Sequence, residues 1–387
     1  MPHTFDPKDQ KLNAPSFNKL IEPIKDLLVG APLLVSRGNR PLQMDFDHQL
    51  KALIYFHLEE HSSGRALIQA LNEDDFAREQ VAPPDGIMKS SFSEAINSRG
   101  LEQLQYIYQG LRAKAPNLLP HKYAELGELV SIDGSLIDAV FSMTWADYRD
   151  GSKKAKVHLG FDLNHSIPSK IYLTDGKADE RPFVSQILSA GQTGVMDRYY
   201  QCHKNFDLWQ SEGKHFVCRI KASTRKSVVT ENAIPINSII FYDAIVLLGT
   251  PRVNQTRKTV RLVGFQIDNV RYWVATDRFD LTAEQIALIY KLRWDIEKFF
   301  GWWKRHLRVY HLIARSKYGL MVQVLADLIT YMLLAIYCHE HHAEKVSIRR
   351  VRELRNKIKN ETRDVGRNLS SIQNVKEQYE PFSYAKT

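Results

Sequence analysis

Residues 290–304 read YKLRWDIEKFFGWWK, and this stretch predicts the central helix of the fold. It follows Leu281-Thr282-Ala283-Glu284, in which Thr282 is a suitable N-cap. The helical pattern then continues past Lys304, so we predict one helix over residues 281–307.

This helix would carry two different faces. At about 100° per residue, its polar face falls within an arc of roughly 60°. A carboxylate flanked by cations suits a metal ligand beside bound phosphates, although an exposed salt-bridged face has the same pattern. A separate stripe is apolar and suits a core. The polar face contains Tyr290, Arg293, Glu297 and Lys304, and the apolar stripe contains Ile289, Leu292, Ile296, Phe299, Phe300, Trp303 and Leu307.

The composition favours a basic protein of the cytoplasm. The length of 387 residues allows two or three domains. The formal charge of +9 favours an anionic partner such as nucleic acid. Three separated cysteines without a CxxC pair indicate reduced thiols. The apolar run 322–337 contains Gln323 and Asp327 and is short for a bilayer, so we predict a buried helix and no membrane span. We expect a cytoplasmic, nucleoid-associated protein.

The region 1–125 is predicted to be helical. Helix-period apolar residues occur over Phe17–Leu28, where Pro23 favours a kink, and over Phe46–Leu58. Ser90–Ile96 and Leu101–Leu111 form a helix-turn-helix-like pair. Such pairs also occur in plain bundles, so both binding to DNA ends and a structural role remain open.

The region 126–317 changes to strands, with Gly134 as an expected break in the first one. Three strands, a helix, and then alternating strands and helices predict an α/β fold with a ribonuclease H-like core. Residues about 223–277 read as a β-rich insertion, and 318–387 as C-terminal helices with a basic tail. The predicted core segments are 129–139, 156–163, 170–174, a helix over 181–188, a strand into Asp197, a helix around 206–209 and a strand over 215–220.

Three carboxylates could form a metal site at one edge of this core. Asp133 and Asp197 come at the ends of predicted strands, and Glu297 lies on the long helix. Oxygen ligands of this kind suit two Mg²⁺ or Mn²⁺ ions, which activate a nucleophile and stabilise a leaving oxygen in phosphodiester chemistry. A lone strand-end Asp is more often a cap or turn residue, and Asp138, Asp175 and Asp179 are competing acids. Trp273 could stack on an unpaired base or fill a core strand.

The spacing of Tyr290, Arg293, Glu297 and Lys304 resembles the Y-R-E-K signature of transposases of the insertion sequence four family. The segments around Asp133 and Asp197 are also similar to the acidic motifs of that family. The resemblance covers about residues 125–315. It implies a DDE transposase in which Asp133, Asp197 and Glu297 bind metal and catalyse.

The same resemblance implies the partners and the reaction. Tyr290, Arg293 and Lys304 would contact phosphates of double-stranded DNA, namely transposon terminal inverted repeats and target DNA. The expected process is cut-and-paste transposition through a hairpin intermediate, by a homodimer that holds two ends. The alternatives are a structure-specific ribonuclease H-like nuclease and a DNA-binding relative that has lost catalysis.

Overall fold

The computed structural model of the chain describes residues 14–35, 41–234, 236–307 and 309–361. The predicted tail beyond residue 361 lies outside these ranges. A further helix covers 348–361. The other α-helices are α1 Pro15–Ile21, α2 Lys25–Gly30, α3 Phe46–Leu58, α4 Gly64–Glu73, α5 Asp75–Gln80, α6 Lys89–Ser98, α7 Leu101–Leu118, α8 Val184–Ile187, α9 His203–Ser211, α10 Ala283–Leu292, α11 Trp294–His306 and α12 Lys317–His342.

The strands form one ten-stranded mixed sheet in the order β2-β3-β1-β5-β6-β10-β9-β8-β7, and β4 pairs with β3. Strand β1 is antiparallel to β3 and parallel to β5, and β5 is parallel to β6. The strands are β1 Leu129–Asp138, β2 Asp147–Arg149, β3 Ser152–Asp162, β4 Ile167–Asp175, β5 Thr193–Met196, β6 His215–Arg219, β7 Lys226–Glu231, β8 Ile240–Leu248, β9 Val260–Ile267 and β10 Val270–Thr276.

The chain divides into two compact units, which differ from the predicted domains. One unit contains Arg112–Arg305, and the other combines Met1–Leu111 with His306–Thr387. The predicted boundaries at 125 and 317 are therefore displaced. The N-terminal and C-terminal regions belong to one unit because α12 packs against α1, α3 and α6.

Helix α12 is the core of the helical unit. By length and composition it could cross a membrane, but 94% of its apolar window is buried inside the protein. The two polar residues named in the prediction have partners within the helical unit. Gln323 Nε2 donates to the carbonyl of His311 at 3.0 Å, and Asp327 lies 2.8 Å from His57 Nδ1. The prediction of a buried helix is confirmed.

The β-rich insertion is part of the main sheet rather than a separate layer. Strand β10 pairs antiparallel with β6, and β9, β8 and β7 extend the sheet from there. Apolar residues from the core strands and the insertion share one cluster, in which Phe216, Leu248 and Leu262 are each at most 1% exposed. We did not predict β7, whose side chains are mostly exposed and give no apolar alternation.

One local prediction was wrong within the core, and another is confirmed with a 3₁₀ first turn. Strand β1 runs through Gly134, which pairs with His158 instead of ending the strand. The predicted helix over 181–188 is a 3₁₀ turn, Arg181–Phe183, followed by the four-residue helix α8.

The long helix is also interrupted, contrary to the prediction. Thr282 does cap α10, in a capping box with Gln285. The α-helical hydrogen bonding is interrupted at Arg293, although its backbone stays in the right-handed helical region: the Arg293 N–H donates to the carbonyl of Tyr290, three residues back. The Ser131 hydroxyl also donates to the Arg293 carbonyl at 3.3 Å. A hydrogen bond from a distant strand thus helps to hold the junction between α10 and α11.

Candidate active site

Asp133 lies on β1, and Asp197 directly follows β5, the neighbouring parallel strand, at the matching level. In the pairing of β1 with β5, Ser131 lies opposite Val195. Each aspartate comes two residues after its member of this pair, so both carboxylates leave the sheet at the same level. Adjacent parallel strands therefore bring the two predicted acids together.

The Asp133 carboxyl group lies in a crowded acidic environment. Burial, together with the nearby carboxylates Glu180 and Asp197, raises its pKa to about 7, against the opposing effects of the Gly134 N–H and Arg293. That N–H donates to Asp133 Oδ1 at 2.8 Å. The Asp197 carboxylate caps the next turn, where it accepts from the Tyr199 N–H at 2.8 Å.

Glu297 forms an ion pair with Arg293. Arg293 Nη1 donates to Glu297 Oε1 at 2.7 Å, and the guanidinium lies 5.7 Å from the centre of the Tyr290 ring. Tyr290 is 6% exposed, so the ring supports Arg293 from inside the protein. Because Arg293 lowers the pKa of Asp133, this ion pair lies beside the first catalytic candidate.

Lys304, the last residue of the Y-R-E-K spacing, has a partly buried ammonium group close to acidic side chains. Burial lowers the pKa of its ammonium group, while Asp138 and Asp133 oppose that effect. Lys304 therefore lies within electrostatic reach of Asp133. The structure thus groups Asp133 with Asp197, with Arg293 and with Lys304.

Trp273 lies in the insertion, on β10. Its ring packs 5.2 Å from Phe241 and 5.1 Å from Tyr242, and Lys226 Nζ lies 4.2 Å from a Trp273 ring centre. The side chain is half-buried against the core cluster. Its role in stacking on a DNA base stays a prediction.

Glu180 is a fourth acid of the site that the sequence analysis missed. Its carboxylate accepts from Tyr200 Oη at 2.8 Å and lies 3.3 Å from Lys156 Nζ. A Cβ atom at position 134 would lie 2.4 Å from the Glu180 carboxyl carbon. The glycine directly after Asp133 was the one sequence signal that another group approaches the strand here.

The competing acids have other local partners. Asp138 pairs with Lys154 Nζ at 2.6 Å, and Asp175 accepts from the Lys177 N–H at 2.9 Å. Asp179 pairs with Arg181 and also accepts its N–H, as expected for a turn residue. The acids that act on Asp133 are Asp197 and Glu180, whereas Glu297 is paired with Arg293, and its membership of the same site stays a prediction.

The donor set fits a divalent cation by its chemistry. Among the residues that the structure describes, no group of three or more His, Cys, Asp or Glu side chains is already close enough to hold a metal. The Glu297 carboxylate is directed to Arg293 instead. Hard cations prefer carboxylate oxygens, and a cation would offset the like charges that raise the pKa of Asp133.

Comparison with known proteins identifies the class of this site. The family described as "Transposase DDE domain" matches residues 125–333, which is more than half of the chain, so the chain belongs to that family. The expected membership of the DDE transposase family is confirmed.

Individual relatives carry the same description. A probable transposase for insertion sequence element IS5377 of Geobacillus stearothermophilus is 30% identical over 197 residues, covering 50% of this chain and 52% of the relative. A protein of Synechocystis named as a candidate transposase for insertion sequence element IS4SA is 24% identical over 258 residues, covering 64% and 71%. The matched part thus spans about half to about seven-tenths of each relative.

Proposed function

We propose that the protein cuts the ends of a transposon and joins the freed 3′-hydroxyls to target DNA. The observation that carries this proposal is the matching level of Asp133 on β1 and Asp197 directly after β5, with the Arg293 guanidinium, which pairs with Glu297, within electrostatic reach of Asp133. In a chain of the DDE transposase family, such an arrangement suits phosphodiester chemistry.

We also propose that the core is ribonuclease H-like. The strand order β4-β3-β1-β5-β6 supports this assignment, with β3 antiparallel to both of its neighbours and with β1, β5 and β6 parallel. In this arrangement β1 is central, and its carboxylate lies where the neighbouring parallel strand ends. The insertion strands β7–β10 are then an extension of the core sheet.

Asp133, Asp197 and Glu297 would hold two Mg²⁺ or Mn²⁺ ions. When bound, such ions supply activation of the attacking oxygen and neutralisation of charge on the leaving oxygen. For Glu297 to serve as a metal ligand, its ion pair with Arg293 must break so that the carboxylate becomes available. A DNA phosphate offers Arg293 an alternative bidentate partner, so DNA binding and release of Glu297 would be linked.

The other residues would orient the scissile phosphate. Arg293 rests on Tyr290 and is held at the helix junction by Ser131, so its position is fixed before DNA arrives. Lys304 would add a second positive charge beside Asp133. Glu180 makes no DNA contact in this proposal; its negative charge raises the pKa of Asp133, and Tyr200 holds Glu180 in place.

The proposed reaction has two steps. In the first, a water oxygen attacks the phosphorus at the transposon end, the P–O3′ bond breaks, and the 3′-oxygen leaves as a hydroxyl. In the second, this hydroxyl attacks a target phosphorus, and the displaced target 3′-oxygen leaves. The proposal includes a cut-and-paste route by a homodimer, in which two further exchanges lie between these steps. The freed 3′-hydroxyl attacks the phosphorus of the opposite strand, the flanking 3′-oxygen leaves and a hairpin forms; water then attacks that phosphorus and breaks the new P–O3′ bond, which frees the hydroxyl again.

Cleavage of DNA ends tests this function. The purified full chain is incubated with Mg²⁺ and duplexes that carry the presumed terminal repeats, beside Glu297→Gln. Glu284→Gln is the matched control, because it makes the same change on exposed surface of α10. We expect cleavage by the wild type and the control, and loss by Glu297→Gln.

The same assay separates the alternatives. Cleavage without any joining to target DNA would favour a structure-specific nuclease. Binding without cleavage by any of the proteins would favour a DNA-binding relative without catalysis. Equal cleavage by wild type and Glu297→Gln would refute the assignment of Glu297.

A further inference from the structure

A cleft of about 690 Å³ opens next to Asp197 and is lined mainly by polar and basic side chains. A second cleft, of about 870 Å³, shares Lys204 and Asn254 with the first. The two clefts therefore form a continuous surface that begins at a catalytic candidate and continues across α9. Six basic residues along it, here named the basic track, are Arg198, Lys204, Lys221, Arg252, Arg257 and Lys258; Arg181, which also lines the first cleft, is paired with Asp179.

The basic track carries positive charge that the protein does not neutralise. All six side chains are exposed. Within the described ranges, none of the six forms an ion pair, although other cations of the catalytic unit, such as Arg181 and Lys177, do. Six like charges along one surface repel one another and attract a polyanion. Asp197 and Asp207 also line the clefts, but among the described residues neither forms an ion pair with any of the six cations.

The loop that supplies half of these charges is held in place. Both Asp207 oxygens accept from the Arg257 N–H, at 3.1 and 2.9 Å, and Asp207 Oδ1 also accepts from the Lys258 N–H at 2.9 Å. The His203 ring contacts the Asn254 carbonyl at 2.7 Å. Gly249 adopts φ +106°, where a Cβ atom would lie 2.5 Å from the Asn254 oxygen. The charges are thus arranged before any ligand binds.

We propose that the basic track binds the backbone of duplex DNA that leads away from the scissile phosphate on the Asp197 side. This inference rests on the proposed function and adds a DNA-binding surface outside the Y-R-E-K residues. The ligand is recognised through its phosphates, so contact is independent of base sequence. Two pieces of DNA have this chemistry: the DNA that flanks the transposon end and the target DNA.

The first test measures binding without catalysis. The affinity of the full chain for a random-sequence duplex is measured by fluorescence anisotropy in EDTA over a range of salt concentrations. The slope of log association constant against log salt is negative. In Lys204→Ala/Arg257→Ala/Lys258→Ala, we expect its magnitude to decrease by about 2.7, since each lost phosphate contact contributes about 0.9.

A matched control removes the same charge elsewhere. Arg149, Lys153 and Lys177 lie on or beside β2, β3 and β4, and both lysines are paired with Asp147. The triple alanine variant at these positions should leave the slope nearly unchanged. An equal fall in both triple variants, or no fall in either, would overturn the basic track. Because this assay needs no cleavage, failure of the proposed catalysis would not affect it.

Asp207→Ala separates fixed geometry from simple charge. The variant removes a negative charge from the surface, so a purely electrostatic effect would tighten DNA binding. The basic track predicts weaker binding, by about threefold or more, because the loop loses its anchor. Thermal unfolding verifies that the variant is folded, and tighter binding by the folded protein would contradict the proposal.

Joining and cleavage assays then distinguish the two DNA sources. If the track holds target DNA, the Lys204/Arg257/Lys258 variant needs about tenfold more target for half-maximal joining of pre-cut ends and still cleaves ends normally. If it holds flanking DNA, cleavage falls and joining of pre-cut ends is unchanged. Wild-type values in both assays would overturn the proposal.

Discussion

Replacing Gly134 by alanine should destabilise the catalytic unit through the Glu180 carboxylate. The new methyl group would lie 2.4 Å from the Glu180 carboxyl carbon and 2.4 and 2.6 Å from its oxygens. These distances are about 1 Å shorter than ordinary van der Waals contact. The strand cannot easily retreat, because Gly134 pairs with His158 inside β1 and β3.

We expect Gly134→Ala to lower the free energy of unfolding by about 2 kcal/mol, whether the backbone or Glu180 moves to relieve the clash. If the backbone shifts, overpacking of this kind costs about 1–3 kcal/mol. If Glu180 swings away, it loses the hydrogen bond from Tyr200 Oη and the ion pair with Lys156. A hydrogen bond to a charged group contributes about 1.5–3 kcal/mol, so the second route costs about the same.

Urea unfolding of Gly134→Ala, Glu180→Ala and the double variant measures this coupling. Glu180→Ala removes the atoms that the new methyl group would meet, so the double variant should be more stable than the sum of the single effects by about 1–2 kcal/mol. Additivity within about 0.5 kcal/mol would refute the packing argument.

Three further variants test other parts of the structure. Tyr200→Phe removes the O–H that holds Glu180, and we expect end cleavage to slow about fivefold with DNA affinity unchanged; an unaltered rate would contradict the positioning role. Burial lowers the pKa of His158 to about 4, so the unfolded chain binds more protons below pH 6.5, and stability should fall as pH drops from 6.5 towards 4. His158→Gln should flatten this dependence in urea unfolding, and an unchanged slope would exclude His158 as its source. Asp243→Ala leaves Arg261 buried without its 2.6 Å partner, and we expect a loss of about 3–5 kcal/mol in unfolding free energy; a loss below about 1 kcal/mol would contradict this.

The sequence predicted both aspartates at strand ends from a local signal; Asp197 does follow the end of β5, but Asp133 lies within β1. Asp133 and Asp197 each follow an apolar run, and the strand-forming residues around them are readable without knowledge of the fold. Their convergence is not local, since it depends on the pairing of β1 with β5 across about 60 residues. The family resemblance supplied that step before the structure did.

The errors arose where distant groups decide the local conformation. The long helix is interrupted at Arg293, where its carbonyl accepts from the Ser131 hydroxyl, and no helical periodicity reports that contact. Gly134 looked like a strand break, yet it lies in mid-strand beside the Glu180 carboxylate. Glu180 itself lies in a polar turn, where nothing in the sequence distinguishes it from Asp179.

Joining of pre-cut ends to target DNA tests the central claim most directly, namely that Asp133, Asp197 and Glu297 act as one centre. We predict that Asp133→Asn, Asp197→Asn and Glu297→Gln each lower the joining rate by about 10³-fold or more, and that the triple variant is no slower than the single ones. A single variant that joins ends within tenfold of the wild-type rate, or effects that multiply in the triple variant, would contradict it.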